Sequence, residues 1–271
     1  MKNASRLVVA VVLLSSGSAL GTPSTTFWTP ATTYVQPYLV PHVTYDTYFR
    51  DNSTYPIDTG LTMGILPFEK VQAEIGFDFF MPAPNASTGS ALQLNGKIGV
   101  PEGAFAAWQP GISGGIYGLG FKDRLSNYNL LHAEISKTLP VIGTLIGGAY
   151  YSLNQDIMLS NLATGARGDR AGGMGAYVTP DINISGVPGL NKVNFFADFM
   201  TGSNSYGAVG GGVGIFFTPA IDILTGPVFF LESAAQPNAS SWMWSIQLDV
   251  DIELFRKPAA PPPAPAPAPR T

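Results

Sequence analysis

Cysteine is absent from this chain, which suits an exported protein that relies on hydrogen bonds rather than disulfides. Charged residues are also scarce, at 12 % of the sequence, about half the usual fraction for a globular protein. The net charge of −4 gives no indication of a nucleic-acid partner. Such a chain cannot cover a large surface with charge, whereas glycine is abundant, at 31 residues.

Long apolar runs are missing beyond the N-terminal region. No later stretch approaches the about 20 consecutive apolar residues that a transmembrane helix needs. The N-terminus carries Lys2 and Arg6, then the apolar run Leu7–Leu14, then the small-residue exit Ala19-Leu20-Gly21. This pattern is typical of a secretory signal peptide. We therefore expect residues 1–21 to be cleaved on export, and any membrane crossing of the remaining chain to use strands.

Five Xaa-Pro steps punctuate the chain with spacings of 34, 39, 40 and 39 residues. Each one follows a run of alternating side chains and precedes another. Proline cannot donate to a strand ladder, so a proline at the same phase of each repeat marks the end of a strand. Five turns at one end of a sheet join ten strands, and a first and a last strand bring the number to twelve. The steps are Leu66-Pro67, Val100-Pro101, Leu139-Pro140, Thr179-Pro180 and Thr218-Pro219.

The last strand has the clearest alternation. From Trp242 to Leu254 every even position is apolar, while Gln247, Asp249, Asp251 and Glu253 share the other face. Similar alternation starts at Val43, Val71, Leu92 and Val193. One face of each run is free of charge, and the connections opposite the proline steps are longer and polar.

These features resemble bacterial outer-membrane β-barrel proteins of the general porin-like class. The last strand also resembles their terminal strand, which closes on an aromatic residue read by the barrel-assembly machinery, although here sixteen residues follow Phe255. The resemblance implies contact with outer-membrane lipid, insertion by that machinery, both termini in the periplasm and the long loops outside. We predict an all-β, closed antiparallel transmembrane barrel of about 12 strands. Ten is the alternative, because Pro110 and Pro227 interrupt two of the segments and should cause bulges or breaks.

The predicted division of the chain has three parts. Residues 1–21 form the signal peptide, 22–256 the barrel and 257–271 a Pro/Ala-rich periplasmic tail. The tail should be a semi-rigid extended spacer. It is either an idle linker or a tether to the cell wall or a periplasmic partner.

Aromatic residues gather toward the loop end of the strands and predict an interfacial girdle. The residues assigned to it are Tyr48, Phe49, Phe79, Phe80, Tyr117, Phe121, Phe229, Phe230, Trp242 and Trp244.

The polar faces should line the interior and are strongly acidic, with Lys97 as the only expected inward lysine. The side chains predicted to line the lumen are Asp46, Glu74, Asp78, Lys97, His132, Glu134, Asp198, Asp249, Asp251 and Glu253. This surplus of acids favours cations if water fills the interior. Alternatively, the carboxylates accept hydrogen bonds in a packed, closed interior. We also expect His42 to contact Asp251 or Glu253 where the first and last strands meet.

Glycines add a further pattern on the expected inner faces. Gly210, Gly212 and Gly214 lie on one strand and Gly173 and Gly175 on another. They leave an open passage or room for an inserted segment, or they only ease curvature.

Catalytic and metal-binding motifs were not found. Outer-membrane hydrolases resemble this chain in having Ser and His on the barrel wall, but His132 and Ser136 are about 13 Å apart along an extended strand. We expect no enzyme, no cofactor and no metal. The predicted function is a narrow diffusion channel for small hydrophilic solutes with a preference for cations. The alternative is a non-conducting surface or cell-wall-anchoring protein.

Overall fold

The structure is a computed structural model that describes residues 25–50, 56–81, 91–124 and 126–252. The expected signal peptide, the segment 253–255 at the end of the last strand and the Pro/Ala-rich tail lie outside these residues.

Twelve antiparallel strands close into a barrel. The first strand pairs with both the second and the last, and the eighth pairs with the seventh and the ninth, so the wall has no free edge. The prediction of a closed twelve-stranded antiparallel barrel is therefore confirmed, and the ten-strand alternative is wrong. The strands are β1 Pro41–Phe49, β2 Ile57–Gly64, β3 Gln72–Met81, β4 Ala91–Val100, β5 Gly111–Gly120, β6 Leu130–Leu139, β7 Gly143–Ser152, β8 Ala171–Val178, β9 Lys192–Met200, β10 Ala208–Thr218, β11 Ile221–Phe230 and β12 Trp242–Asp251.

All five proline steps lie in connections at one end of the barrel, which we call the turn end; the opposite end is the loop end. The loop end carries a short strand pair, Leu159–Asn161 with Ala166–Arg167, and two 3-10 turns, Ser233–Ala235 and Pro237–Ala239. At the turn end, the short strand Ile182–Asn183 pairs with β9. The strand-pair repeat predicted from the prolines is the observed one.

Pro110 and Pro227, on which the ten-strand alternative rested, have different effects on the strands. Pro110 precedes β5 and so removes no bond from its ladder. Pro227 lies inside β11, and the ladder to β10 has no paired residues between Gly210–Val228 and Val213–Thr225. The local break expected near Pro227 is therefore observed.

The wall has an apolar outside and a polar inside. On β12, Leu248 is 37 % exposed whereas the neighbouring Asp249 is 1 % exposed. Large apolar side chains of β1, β3, β4, β6 and β9 are exposed in the same way. An apolar exterior around a polar interior is the architecture of an outer-membrane β-barrel.

No helix within the described ranges has the length and apolar character that a membrane span requires.

The interior is packed on the side formed by β6 to β11. One apolar cluster includes Leu130, Met174 and Met200, and a second includes Phe196 and Leu224. The assignment of Gly173 and Gly175 to the inner face is wrong, because the side chains of Met174, Ala176 and Val178 are buried inside, whereas Gly175 faces the exposed ring of Phe199. The alternation of β8 is thus shifted by one residue from the predicted one.

Candidate functional site

The acids assigned to the lumen lie on the inner face of the wall. Asp251 is partly exposed, and Glu253 lies outside the described residues. The other residues predicted to line the lumen, six acids together with Lys97 and His132, are all buried. They are Asp46, Glu74, Asp78, Lys97, His132, Glu134, Asp198 and Asp249.

Where β1 meets β12, His42 bridges two carboxylates. Its Nδ1 is 2.9 Å from Asp251 Oδ1 and its Nε2 is 3.1 Å from Asp249 Oδ1. The expected contact between His42 and Asp251 is therefore confirmed, and Asp249 is a second partner. This contact joins the two strands that close the barrel at its turn end.

The main feature that the sequence did not reveal is residues 25–40, which lie inside the barrel except for the exposed Pro37 and Tyr38. We call them the inner segment. Phe27, Thr29, Ala31 and Gln36 are almost fully buried. Because this segment leads directly into β1, it enters from the turn end and reaches Tyr206 at the loop end, where Trp28 Nε1 donates to the Tyr206 carbonyl at 2.9 Å.

Asp198 of β9 anchors the inner segment. Its Oδ2 accepts backbone N–H bonds from Phe27, Trp28 and Thr29, at 3.2, 2.8 and 2.9 Å. Three N–H groups converging on one oxygen are a strong arrangement for an ionised carboxylate. On β10, the position of a Cβ at Gly210 would be 3.1 Å from the Phe27 ring, so the missing side chain makes room for the segment.

Other bonds tie the inner segment to the wall nearer the turn end. The Gln36 N–H donates to Glu74 Oε2 at 2.6 Å, and Lys97 Nζ lies 3.2 Å from Glu74 Oε1. Gln36 Nε2 donates to Asp251 Oδ1 at 2.8 Å. The hydroxyls of Thr33 and Ser136 are 2.5 Å apart. The segment is therefore held by strands on opposite sides of the barrel.

Beside the inner segment lies a cavity of about 460 Å³. It follows β1 from His42 at the turn end to Arg50 at the loop end, and Phe27 and Trp28 form part of its wall. The first four strands supply most of its polar lining.

Three carboxylates, those of Asp46, Asp58 and Asp78, face this cavity. Thr44 Oγ1 and Tyr48 Oη donate to Asp46, at 2.8 and 3.1 Å. Asn95 donates to Asp78. Among the described residues, no ion pair within 4.0 Å includes any of the three carboxylates.

The aromatic girdle assignment is partly wrong. Phe49, Trp242 and Trp244 are exposed and Phe79 is half-exposed, but Tyr48 is buried and bonds to Asp46 inside the barrel. Successive side chains of a strand point to opposite faces, so Tyr48 and Phe49 cannot both face lipid. The same correction applies to Phe80, Tyr117 and Phe230, which point inward; Phe80 and Tyr117 line the cavity and Phe230 packs in the second apolar cluster.

The aromatic rings concentrate at the loop end of the cavity. The Trp28 and Tyr48 ring centroids are 6.5 Å apart, and those of Trp28 and Tyr206 are 6.2 Å apart. Tyr128 packs edge-on against Tyr206 at 4.8 Å. Burial raises the pKa of Tyr128 and of Tyr206, so both phenols stay protonated near neutral pH.

His132 and Ser136 have separate partners. His132 Nδ1 is 2.5 Å from Glu134 Oε1, and Ser136 bonds to Thr33 of the inner segment. Ser113 Oγ donates to the other oxygen of Glu134 at 2.6 Å. Within the described ranges, no three His, Asp or Glu side chains are placed to share a metal ion.

Sequence reasoning missed three inward charges. Asp58 and Asp222 are buried. The sequence indicates this inward position, because the apolar residues Leu61 and Ile223 fall on the opposite face of the two-residue alternation. Lys192 also points inward, with its Nζ 4.4 Å from the centroid of the buried Phe216 ring, so Lys97 is not the only inward lysine. Lys192 is two residues before Asn194 on the same face, a signal already present in the sequence.

Comparison with known proteins gives fold similarity only. No family model and no curated protein matches the chain. An outer membrane channel from Pseudomonas putida F1 is similar at 15 % identity, covering 79 % of this chain and 94 % of that one, with a TM-score of 0.41. The NanC porin is similar at 11 % identity, covering 78 % and 100 %, with a TM-score of 0.47. OmpF of Salmonella typhi, in complex with daunomycin, matches at 7 % identity, covering 79 % and 96 %, with a TM-score of 0.35. Such values carry no information about the solute or the activity of this chain.

Proposed function

We propose that the chain is a narrow diffusion channel of the outer membrane for small hydrophilic solutes, with a preference for cations. The observation that carries the proposal is the cavity along β1 inside a closed wall. The stretch from His42 to Arg50 corresponds to about 26 Å of extended strand. In a barrel whose strands tilt by about 40°, this is about 20 Å along the axis, which is most of the height of the apolar band of such barrels.

The charge of the interior supports the preference for cations. Eight carboxylates are buried inside the described part of the barrel, against Lys97 as the one buried lysine or arginine there. Rings of Asp and Glu raise the local concentration of cations in a narrow aqueous passage. In this proposal Asp46, Asp58 and Asp78, the three buried carboxylates that line the cavity, set the selectivity.

The outside of the wall fits the same proposal. Phe49, Phe79, Trp242 and Trp244 would anchor the barrel at the membrane interface, where amphipathic rings are favoured. Trp244 Nε1 donates to Thr225 Oγ1 at 2.8 Å, so its polar atom has a partner on the barrel surface. Both termini would lie in the periplasm after insertion by the assembly machinery, with the Pro/Ala-rich tail reaching toward the cell wall.

The inner segment favours a second candidate, a non-conducting barrel with a structural or anchoring role. The segment is hydrogen-bonded to β3, β6, β9 and β12, so it extends across the interior of the barrel. In a channel, the same segment narrows the passage to the space beside it.

Conductance in planar bilayers separates the two candidates. The refolded protein, checked by heat-modifiable electrophoretic mobility, should give small unitary current steps in potassium chloride. A salt gradient should shift the reversal potential toward that of potassium. A folded barrel that remains silent supports the non-conducting role and removes the channel proposal.

A further inference from the structure

We infer that the cavity beside the inner segment is a binding site for an organic ammonium ion that carries an aromatic or aliphatic body. The inference rests on the proposed function, because it names the class of solute that the passage would hold. Three properties of the cavity support the inference: acceptors without a partner, the position of the aromatic rings, and the volume.

Two acceptors in the cavity lining, one on Asp58 and one on Gln93, have no hydrogen-bond partner within the described ranges. Asp58 is 4 % exposed, and its Oδ1 has no hydrogen-bond partner among the described residues. Asp46 faces Asp58 directly across the β1–β2 ladder, and Asp78 lies on the adjacent β3. A buried carboxylate without a partner is costly, and a bound cation that donates hydrogen bonds would remove that cost.

Gln93 provides an observation that is independent of the acids. It is 3 % exposed and lines the same cavity, and its Oε1 has no partner in the part of the chain that the structure describes. Gln93 faces Asp78 across the β3–β4 ladder. A neutral carbonyl acceptor and a row of carboxylates therefore face the same space, and both accept from an ammonium group.

The shape of the site argues against a bare metal ion. The described carboxylates do not converge as a metal-binding group. A volume of about 460 Å³ falls within the range of small-molecule pockets. The acids thus suit a larger cation that keeps its hydrogen bonds to several separate acceptors.

Aromatic rings lie on the loop side of the acids. Tyr48 is two residues beyond Asp46 on the same face of β1, the Trp28 ring stands near it, and the Tyr206 ring stands near Trp28. The faces of such rings attract cations and also cover the apolar body of a ligand. An ammonium group at the acids with its body among the rings satisfies both parts of the lining.

Two arginines also line the cavity, at its loop end. Arg50 lies with its guanidinium carbon 5.5 Å from the Phe230 ring centroid, and Arg124 is exposed. Arg50 is four residues beyond Asp46, about 13 Å along an extended strand. Asp58 pairs with Asp46, so these two carboxylates line a part of the cavity farther from the loop end than Arg50. The arginines therefore leave the acid-lined part of the cavity attractive to cations.

Three probes of similar size test the inference, namely benzylammonium, which carries three N–H donors, benzyl alcohol and benzenesulfonate. Calorimetry on the full barrel in detergent should show binding of the ammonium probe at least about tenfold tighter than binding of the alcohol, and no binding of the sulfonate. Asp58→Asn should weaken the ammonium probe by about tenfold, since it removes one charge partner without changing the shape of the side chain. Gln93→Glu, which adds a carboxylate at the same wall, should tighten it.

Asp222→Asn is the matched control, because Asp222 is a buried inner-face acid that does not line the cavity. It should leave binding unchanged. Equal losses from Asp58→Asn and Asp222→Asn would overturn the site, since the effect would then be a general attraction of the acidic interior. Preferred binding of the alcohol or the sulfonate would overturn it as well.

Binding and conduction can fail separately. A silent barrel that still binds the ammonium probe in an Asp58-dependent manner removes the channel and keeps the site. A conducting, cation-preferring barrel whose binding of the probe does not depend on Asp58 removes the site and keeps the channel.

Discussion

The interior of this barrel has two unlike sides. On the side of β6 to β11 two apolar clusters, rich in Leu, Met, Phe and Val, pack against the inner segment beside polar residues such as Glu134 and Asp198. On the side of β1 to β4 the inward residues are mostly polar, including Asp, Glu, Thr, Gln and Asn, and a cavity of about 460 Å³ remains. A single wall with the same outside can therefore enclose both a packed core and an open cavity, depending on which residues alternate inward.

The inner segment separates the two sides. Its Ala31 belongs to one apolar cluster and its Phe27 to the other, while Trp28 faces the cavity. Its place beside the cavity narrows the space inside the twelve-stranded barrel. Variants of the inner segment, of each side and of a contact outside both test this division of the interior.

Removal of residues 25–35 should have the largest effect on the passage. The deletion keeps Gln36 with its bonds to Glu74 and Asp251 and takes away the part of the chain that reaches the loop end. Unitary conductance should rise several-fold because the cross-section widens. A folded deletion variant with unchanged conductance would show that ions do not pass beside the segment.

On the packed side, Leu130→Ala should cost about 2–5 kcal/mol of unfolding free energy, because it leaves a void among well-packed neighbours. Leu130 is fully buried in the cluster with Met158 and Met174. Thr62→Ala, on the cavity side, is the comparison and should cost much less, since its neighbours already border open space. Urea titration followed by electrophoretic mobility measures both. Similar costs for the two variants would contradict the division of the interior.

The role of Asp198 in anchoring the inner segment can be tested with Asp198→Ala. It removes the acceptor for three backbone N–H groups and should cost on the order of 2 kcal/mol locally. Because the chain has no cysteine, Thr29→Cys introduces a unique thiol at a fully buried site. A thiol reagent should label this cysteine faster when Asp198→Ala is present. Asp222→Ala serves as the control, and equal labelling in both backgrounds would mean that Asp198 does not hold the segment.

The wall could be predicted from the sequence because its signals are local. Period-two alternation and evenly spaced prolines state where each strand runs and which face is apolar, and β12 shows both in full. Tyr48 was misassigned because its aromatic character was weighed more than its place in the alternation of β1. Strict use of the two-residue period would have put it inside, beside Asp46.

The inner segment and the cavity could not be predicted in the same way. Residues 25–40 have no strand or helix period, and their position depends on partners such as Asp198 and Gln247, which are more than 150 residues away in the chain. Room for an inserted segment was one of three interpretations of Gly210, and nothing local in the sequence identified the segment. The grouping of Asp46, Asp58 and Asp78 needs the pairing of three strands, which alternation within one strand does not provide.

Outside both sides, Glu102 in the β4–β5 connection should give the smallest effect. Its carboxylate lies 2.6 Å from Lys137 Nζ and accepts the Thr138 N–H at 2.9 Å. Partial burial alone would raise the pKa of Glu102, but the bonds from Lys137 and Thr138 outweigh it and lower the pKa below its usual value.

A carboxyl whose pKa is lowered in the folded protein stabilises it above the unfolded pKa, and this contribution is lost as the pH falls through the folded pKa. Glu102→Gln should therefore reduce the unfolding free energy by less than about 1 kcal/mol at neutral pH and by nothing in strong acid. Asp156→Asn, which breaks a more exposed pair with Arg167, is the control and should change stability less. Unfolding midpoints at two pH values test the pair, and an effect of Glu102→Gln that persists in strong acid would mean that the charge of Glu102 is not its cause.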